Sequence, residues 1–157
     1  MPLVYRVENG DGEGPYTASN GQSLYHLNAG SAGAWQSECF DLKNRHPAPY
    51  DDSKLVRSGF DVFKRNFECS YDVEDLSFGF ESPEQYRSWF FSDELLHKLD
   101  AMGFRLHVYD VPENQVAFGN SQCAFRKDRA TDLEPLGYSP FHKFPTQSEE
   151  DYYDARD

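Results

Sequence analysis

The chain of 157 residues contains little cysteine, and its cysteines follow no spacing typical of a structural site. Cys39, Cys69 and Cys123 are an odd number and include no CxxC pair. A disulfide framework or a zinc site needs more ligands at closer intervals. We therefore expect reduced thiols, no bound metal and a cytoplasmic protein.

Long apolar runs are missing as well, and this excludes a transmembrane helix. Residues 1–5 lack the basic segment followed by an apolar segment that marks a signal peptide. Basic residues are few: the chain has 15 lysines and arginines and 27 acids, which gives a formal charge of −12. Such a charge repels nucleic acid and anionic membranes and attracts basic patches on proteins. We expect a basic protein surface as the partner, with no direct contact to nucleic acid or membrane.

Lysine and arginine are absent between Arg65 and Arg87, where acids alternate with aromatic residues. The acids are Glu68, Asp72, Glu74, Asp75, Glu81 and Glu84. A second acidic segment near the C-terminus contains Glu149, Glu150, Asp151 and Asp154. We predict that these carboxylates form a ridge that occupies a cationic groove of the kind that binds DNA, by mimicry of its charge. The alternative is that the acids only solvate the surface.

One segment carries strong helix signals. Ser82 and Gln85 stand at the spacing of a capping box, with a proline at the first helical position. Gly103 supplies a stop signal, so the pattern predicts a helix over residues 83–102. Ser92 begins a second capping pattern, which indicates either a new helix or a kink within one helix.

Several other segments alternate apolar and polar residues at the period of a strand. They are residues 3–8, 104–109, 115–118 and 122–125. The last two segments are predicted to form a hairpin around Gly119-Asn120. Phe60, Phe63 and Phe67 recur at helical spacing and predict a short amphipathic helix. We expect an α+β fold, with an antiparallel sheet packed against one long helix and an irregular C-terminal arm.

The composition also suggests a division of the chain. Residues 1–127 are predicted to form a single α+β domain. Residues 128–148 combine prolines with aromatic residues, as expected of an arm that packs on the domain. Residues 149–157 are predicted to be a flexible acidic tail.

The chain resembles a family of small, uncharacterised phage and prophage proteins. The residues that carry the resemblance are Tyr5-Arg6-Val7-Glu8, Gly14-Pro15-Tyr16, Gly79-Phe80-Glu81-Ser82-Pro83-Glu84-Gln85, Trp89-Phe90, Gly103-Phe104, Val108-Tyr109 and Gln122-Cys123-Ala124-Phe125. The resemblance spans residues 3–126 and implies a viral protein in the host cytoplasm. It implies action on host machinery, and the acidic charge then suggests an inhibitor of a defence complex, similar to anti-CRISPR proteins, or of another nucleic-acid-handling protein.

The order of certain motifs is similar to that of ADP-ribosyltransferase-like folds, in which an arginine, a serine and a late glutamate bind NAD. This resemblance implies that Arg6 holds the NAD phosphates and that Ser77 or Ser82 positions the ribose. Gln122 stands where the glutamate is expected, and its amide carries no charge to stabilise an oxocarbenium-like centre. The alternative function is therefore that of an NAD-dependent ADP-ribosyltransferase-like enzyme, or of a degenerate relative that still binds a nucleotide, and NAD is the cofactor only under this alternative. The sequence favours a non-enzymatic protein, and no residue is assigned as catalytic.

Overall fold

The computed structural model describes residues 2–15, 49–64 and 76–144. These residues form six strands: β1 (Leu3–Glu8), β2 (Ser77–Gly79), β3 (Arg105–Asp110), β4 (Val116–Phe118), β5 (Cys123–Phe125) and β6 (Thr131–Asp132). They also form three α-helices: α1 (Ser53–Phe63), α2 (Pro83–Trp89) and α3 (Asp93–Ala101). The α+β class is confirmed, but two sheets are present where one was predicted.

The predicted long helix is wrong, because the chain between Pro83 and Ala101 forms two helices. Ser82 caps the first helix by accepting a hydrogen bond from the backbone N–H of Gln85. Ser92 caps the second in the same way, and its extended backbone interrupts the helical path. Residues that satisfy the free N–H groups of a helix start stabilise a new helix there, so the second capping pattern prevails over continuation.

The helix predicted from phenylalanine spacing also differs from the observed one. Helix α1 begins after Asp52, whose carboxylate accepts from the N–H of Leu55, and ends at Lys64 in the left-handed conformation. Leu55 is fully buried, whereas Phe60 exposes 56% of its surface to solvent. The capping carboxylate and the leucine therefore fix this helix, and Phe67 lies outside the described residues.

Each sheet has three antiparallel strands, in the orders β1-β3-β6 and β2-β5-β4. Strands β4 and β5 form the predicted hairpin, with Val116 opposite Phe125. The two sheets are joined where Tyr5 and Phe80 exchange a pair of backbone hydrogen bonds of 2.8 Å. The first sheet carries the candidate site on one of its faces.

The main core lies between the first sheet and helices α2 and α3. Its buried residues are Val7, Phe80, Tyr86, Trp89, Phe90, Leu95, Leu99, Phe104 and Leu106. Strand alternation places Leu106 toward these helices, so the neighbouring side chains of β3 point to the opposite face.

The segment after β6 returns across the core. Tyr138 pairs with Leu106 through two backbone hydrogen bonds of 2.8 Å, and the hydroxyl of Tyr86 donates to the carbonyl of Pro140 at 2.7 Å. Phe144 packs edge-on against Tyr5. No described helix is long and apolar enough to cross a membrane.

Candidate functional site

The outer face of the first sheet, opposite the two helices, carries a cluster of charged side chains. The register of β1 and β3 pairs Arg6 with His107 and Glu8 with Arg105. Directly opposed residues project from the same face of an antiparallel pair. The alternation of both strands therefore gathers these side chains, together with Tyr109, on one surface.

Glu8 is the centre of this cluster and is 4% exposed. Its Oε2 accepts from Nζ of Lys127 at 2.8 Å and from Nε of Arg6 at 3.0 Å. Its Oε1 accepts from the hydroxyl of Tyr109 at 2.5 Å. Burial alone would raise the pKa of Glu8, but the hydrogen bonds from Lys127 and Tyr109 and the charge of Arg6 outweigh burial and hold that pKa below its usual value. Glu8 is therefore a permanent carboxylate at neutral pH.

His107 is 7% exposed and pairs with a carboxylate from β6. Its Nδ1 lies 3.0 Å from Oδ2 of Asp132, and its Nε2 lies 3.8 Å from Oε1 of Glu8. The first distance is a hydrogen bond and the second is too long for one. An ionised carboxylate only accepts, so Nδ1 donates to Asp132, and the tautomer that this hydrogen bond selects has its lone pair on Nε2.

An open pocket of about 520 Å³ lies over this face. Glu8, His107, Tyr109, Lys127 and Asp132 line it together with the loop of residues 9–12 and Leu136. The loop holds its shape because Asn9 Oδ1 accepts from the N–H groups of Asp11 and Glu13. Nζ of Lys127 also donates to the carbonyl of Gly12 at 3.1 Å, which ties the loop to the far side of the pocket.

The same residues contain a potential set of metal ligands. Glu8, His107 and Asp132 each offer one ligand atom, and these atoms lie within 4.8 Å of one another. Lys127 and Arg6, however, already contact the carboxylate of Glu8. A dication placed there would be repelled by both of these charges, and the hydrogen bond to Asp132 would compete for the imidazole. The arrangement favours an internal ion network over a metal ion.

The residues of the predicted acidic ridge are described only in part. Glu81 and Glu84 are exposed at the start of α2, and neither makes an ion pair with a described residue. Glu81 contacts Gln85, whose amide reaches the carbonyl of Asn120. The other predicted ridge residues lie outside the described residues: Glu68, Asp72, Glu74, Asp75, Glu149, Glu150, Asp151 and Asp154.

The residues of the alternative NAD site do not share the pocket. The guanidinium of Arg6 bonds to Glu8, to the carbonyl of Phe78 at 2.8 Å and to that of Gly12 at 3.4 Å. Ser82 is committed to capping α2, Ser77 is half-buried in β2, and Gln122 is 5% exposed beside β5. None of the four lines the pocket described above. The guanidinium of Arg6 is therefore hydrogen-bonded to groups of the protein itself, whereas the NAD hypothesis requires it to bind the phosphates of the cofactor.

Sequence reasoning missed Glu8, Tyr109, Lys127 and Asp132 as members of one site. The period-two pattern placed His107 and Tyr109 on the polar face of β3, where exposure is the usual outcome. Lys127 lies 119 residues from Glu8 along the chain. No local sequence pattern predicts such a contact. Arg6 and Glu8 do carry opposite charges on the same face of β1, and this is a weak indication of a charged cluster.

Comparison with known proteins confirms the resemblance to small phage proteins. Residues 1–138 match the family described as Bacteriophage T4 Y00F protein. Over 96 residues the chain is 33% identical to an uncharacterized 19.7 kDa protein of the motB-dexA intergenic region in enterobacteria phage T4. That alignment covers 55% of this chain and 57% of the relative, so the chain spans little more than half the length of the curated relative that it matches. No solved structure matches. Because the family match covers most of its residues, the chain belongs to the Bacteriophage T4 Y00F protein family.

Proposed function

We propose that this phage protein acts in the host cytoplasm by occupying the basic surface of a host protein that handles nucleic acid, such as a defence complex. The observation that carries the proposal is the window between Arg65 and Arg87, which has six acids and no base. A surface that binds DNA presents lysines and arginines to regularly spaced phosphates. Carboxylates gathered in one segment offer such a surface a competing set of negative charges.

The distribution of charge along the chain supports this function. The described residues hold 16 acids and 11 bases, a net charge of −5. The rest of the chain holds 11 acids and 4 bases and contributes −7 to the total of −12. All of this excess falls in residues 65–75, with −3, and residues 145–157, with −4. The negative charge is therefore concentrated in two short segments, whereas the described fold is closer to balance.

The described end of the window presents its acids to solvent. Glu81 and Glu84 are exposed, and Arg87 follows one turn later on the same helix. The negatively charged side chains of both acids lie near the helix start, where the helix dipole favours negative charge. They are thus available to a cationic surface.

The proposal is tested by capture of host proteins on the immobilised chain at about 50 mM and about 500 mM salt, since attraction between exposed charges falls over this range. We expect capture of a nucleic-acid-binding protein at low salt, release at high salt, and competition by duplex DNA. Capture that is unaffected by both salt and DNA would overturn the proposal.

Two matched pairs of charge reversals locate the interface. Glu81→Lys with Glu84→Lys alters the start of α2, and Asp93→Lys with Glu94→Lys alters the start of α3. All four acids are exposed and lie near a helix start, and both variants reach the same net charge. We expect only the first variant to weaken capture, by about tenfold if the reversal costs about 1.4 kcal/mol of binding free energy. Equal weakening would mean that net charge alone governs binding.

A larger reversal extends the test to the rest of the window. In the window variant, Glu68, Asp72, Glu74 and Asp75 are replaced by lysine. In the control variant, lysine replaces four other acids that are all exposed: Asp51, Asp61, Glu94 and Glu113. Capture should be abolished in the window variant and preserved in the control.

A further inference from the structure

The pocket over the outer face of the first sheet has the size of a ligand site. Its volume of about 520 Å³ lies within the range of about 300–1,000 Å³ found for small-molecule sites. Its floor consists of buried groups that are already fixed in place, since Glu8 is 4%, Tyr109 3% and His107 7% exposed. A ligand would thus meet preorganised polar atoms, which lowers the entropic cost of binding.

Nε2 of His107 is the acceptor that these contacts leave available. Asp132 holds the other ring nitrogen, and Nε2 makes no hydrogen bond within the described part of the chain. Gly137 adopts a positive φ of +73°, and a Cβ there would lie 3.0 Å from Nε2 and 2.5 Å from Cβ of Arg105. Only glycine lets the backbone at residue 137 approach the imidazole this closely, so a larger residue there would press on the ring. Oε1 of Glu8, 3.8 Å away, provides a second acceptor beside it.

The charges around the pocket select against ions as ligands. A cation of charge +2 meets Lys127 and Arg6 at the carboxylate of Glu8. An anion meets a lining with three acids, Glu8, Asp11 and Asp132, against Arg105 and Lys127. It also approaches a molecule of net charge −12. A neutral molecule that donates hydrogen bonds avoids both penalties.

We propose that this pocket binds a neutral, hydroxyl-rich ligand, either a free sugar or the ribose of a nucleoside. One ring hydroxyl donates to Nε2 of His107 and a neighbouring hydroxyl donates to Oε1 of Glu8. Nζ of Lys127 is placed to donate to a ligand oxygen. The apolar rim, which includes Leu136 at 87% exposure, covers the carbon face of the ring. None of the described residues that line this site belongs to the acidic window, and the inference does not depend on the protein-binding function.

The test uses isotope-labelled full-length protein and NMR titration with D-ribose, uridine and inorganic phosphate, each up to about 20 mM, a range that detects millimolar affinities. We expect saturable shifts of the His107 imidazole and of the Gly12 and Ala130 amides. Shifts with ribose assign the site to a free sugar, and shifts with uridine alone assign it to a nucleoside. Absence of saturation with both, or tighter binding of phosphate, would overturn the proposal.

A pair of surface variants keeps the test independent of folding. Leu136→Trp fills the mouth of the pocket, whereas Leu133→Trp changes a neighbouring leucine that is 50% exposed and does not line it. Both positions are exposed, so neither change disturbs the core. The dissociation constant should rise by about tenfold or more in Leu136→Trp, equivalent to about 1.4 kcal/mol, and stay unchanged in Leu133→Trp. Equal effects would place the ligand elsewhere and refute the assignment.

Discussion

At the scale of single residues, Asp52 connects two elements that are distant in sequence. Its carboxylate caps α1 through the N–H of Leu55 at 3.1 Å. It also accepts from the N–H groups of Asn120 and Ser121, at 3.0 and 2.9 Å, and from the Ser121 hydroxyl. Burial alone would raise the pKa of Asp52, but these hydrogen bonds outweigh burial and lower it. One side chain thus fixes the helix against the turn between β4 and β5.

We predict that Asp52→Asn destabilises the fold by about 2 kcal/mol, because a neutral amide loses the charge-assisted hydrogen bonds and turns an N–H group toward donors. Urea unfolding at neutral pH measures the loss. The control is Asp51→Asn at the neighbouring exposed carboxylate, where we expect a change within about 0.5 kcal/mol. Equal losses in both variants would show that the cap contacts contribute nothing specific.

The lowered pKa of Asp52 also gives this variant a characteristic pH profile. The folded state binds the proton more weakly than the unfolded state, so the stabilisation by the carboxylate is present at neutral pH. It is lost as the pH falls from the usual carboxyl range, near about 4, through the lower pKa of the folded state. The difference in stability between wild type and Asp52→Asn should therefore shrink on acidification. A difference that is constant with pH would contradict the assignment.

At the scale of elements, the segment after β6 is fixed to the core by a hydrogen bond from a helix. The hydroxyl of Tyr86 is buried and donates to the carbonyl of Pro140. Burial raises the pKa of this phenol, which keeps it protonated as a donor at all physiological pH values. Tyr138 and Phe144 add an edge-to-face aromatic contact at a centroid distance of 5.4 Å.

Tyr86→Phe removes this donor, keeps the ring and leaves the Pro140 carbonyl unpaired. We expect a loss of about 1–2 kcal/mol and faster proteolysis within residues 137–144, because the segment opens more often. Ser88→Ala, at an exposed position on the same helix, serves as the control. If the segment is cleaved at the same rate in both variants, Tyr86 does not hold it.

The sequence predicts where helices and strands occur better than it predicts whether neighbouring helical segments join into one helix. Alternation and turn residues were sufficient for β1, β3 and the β4–β5 hairpin, because a local pattern determines each of them. Ser92 was recognised as a cap, yet the choice between a kink and a break depends on how Phe90 and Leu95 pack in the core. Strands β2 and β6, of three and two residues, are too short for a periodic signal and exist through their partners.

The site illustrates the same limit over longer distances. The alternation of side chains along a strand predicts that Arg6 and Glu8 lie on one face of β1. Their burial, however, depends on contacts with residues more than one hundred positions later in the chain. The basic segment after β5 shows this as well: Lys127 turns inward to Glu8, and Arg126 pairs with Asp128. Charges that look exposed in the sequence are thus neutralised by the fold.

At the scale of the whole molecule, the stability of the free protein and its binding to a basic partner have opposite responses to salt. Self-repulsion of a net charge of −12 opposes the compact state, and salt screens this repulsion. Salt equally screens attraction to a basic partner. The free protein should therefore become more stable as ionic strength rises, under the same conditions in which its complex dissociates.

We predict that the melting temperature of the free protein rises by about 2–4 °C between low and high salt, the shift expected for a gain of about 1 kcal/mol in a domain of this size. The window variant and its control, both defined above, have a net charge of −4 and should rise less. Differential scanning calorimetry at several NaCl concentrations measures all three. Sucrose, an uncharged stabiliser, should raise the melting temperature of all three proteins equally. If NaCl also raises all three equally, salt acts by strengthening apolar burial, and the net charge has no energetic consequence for the fold.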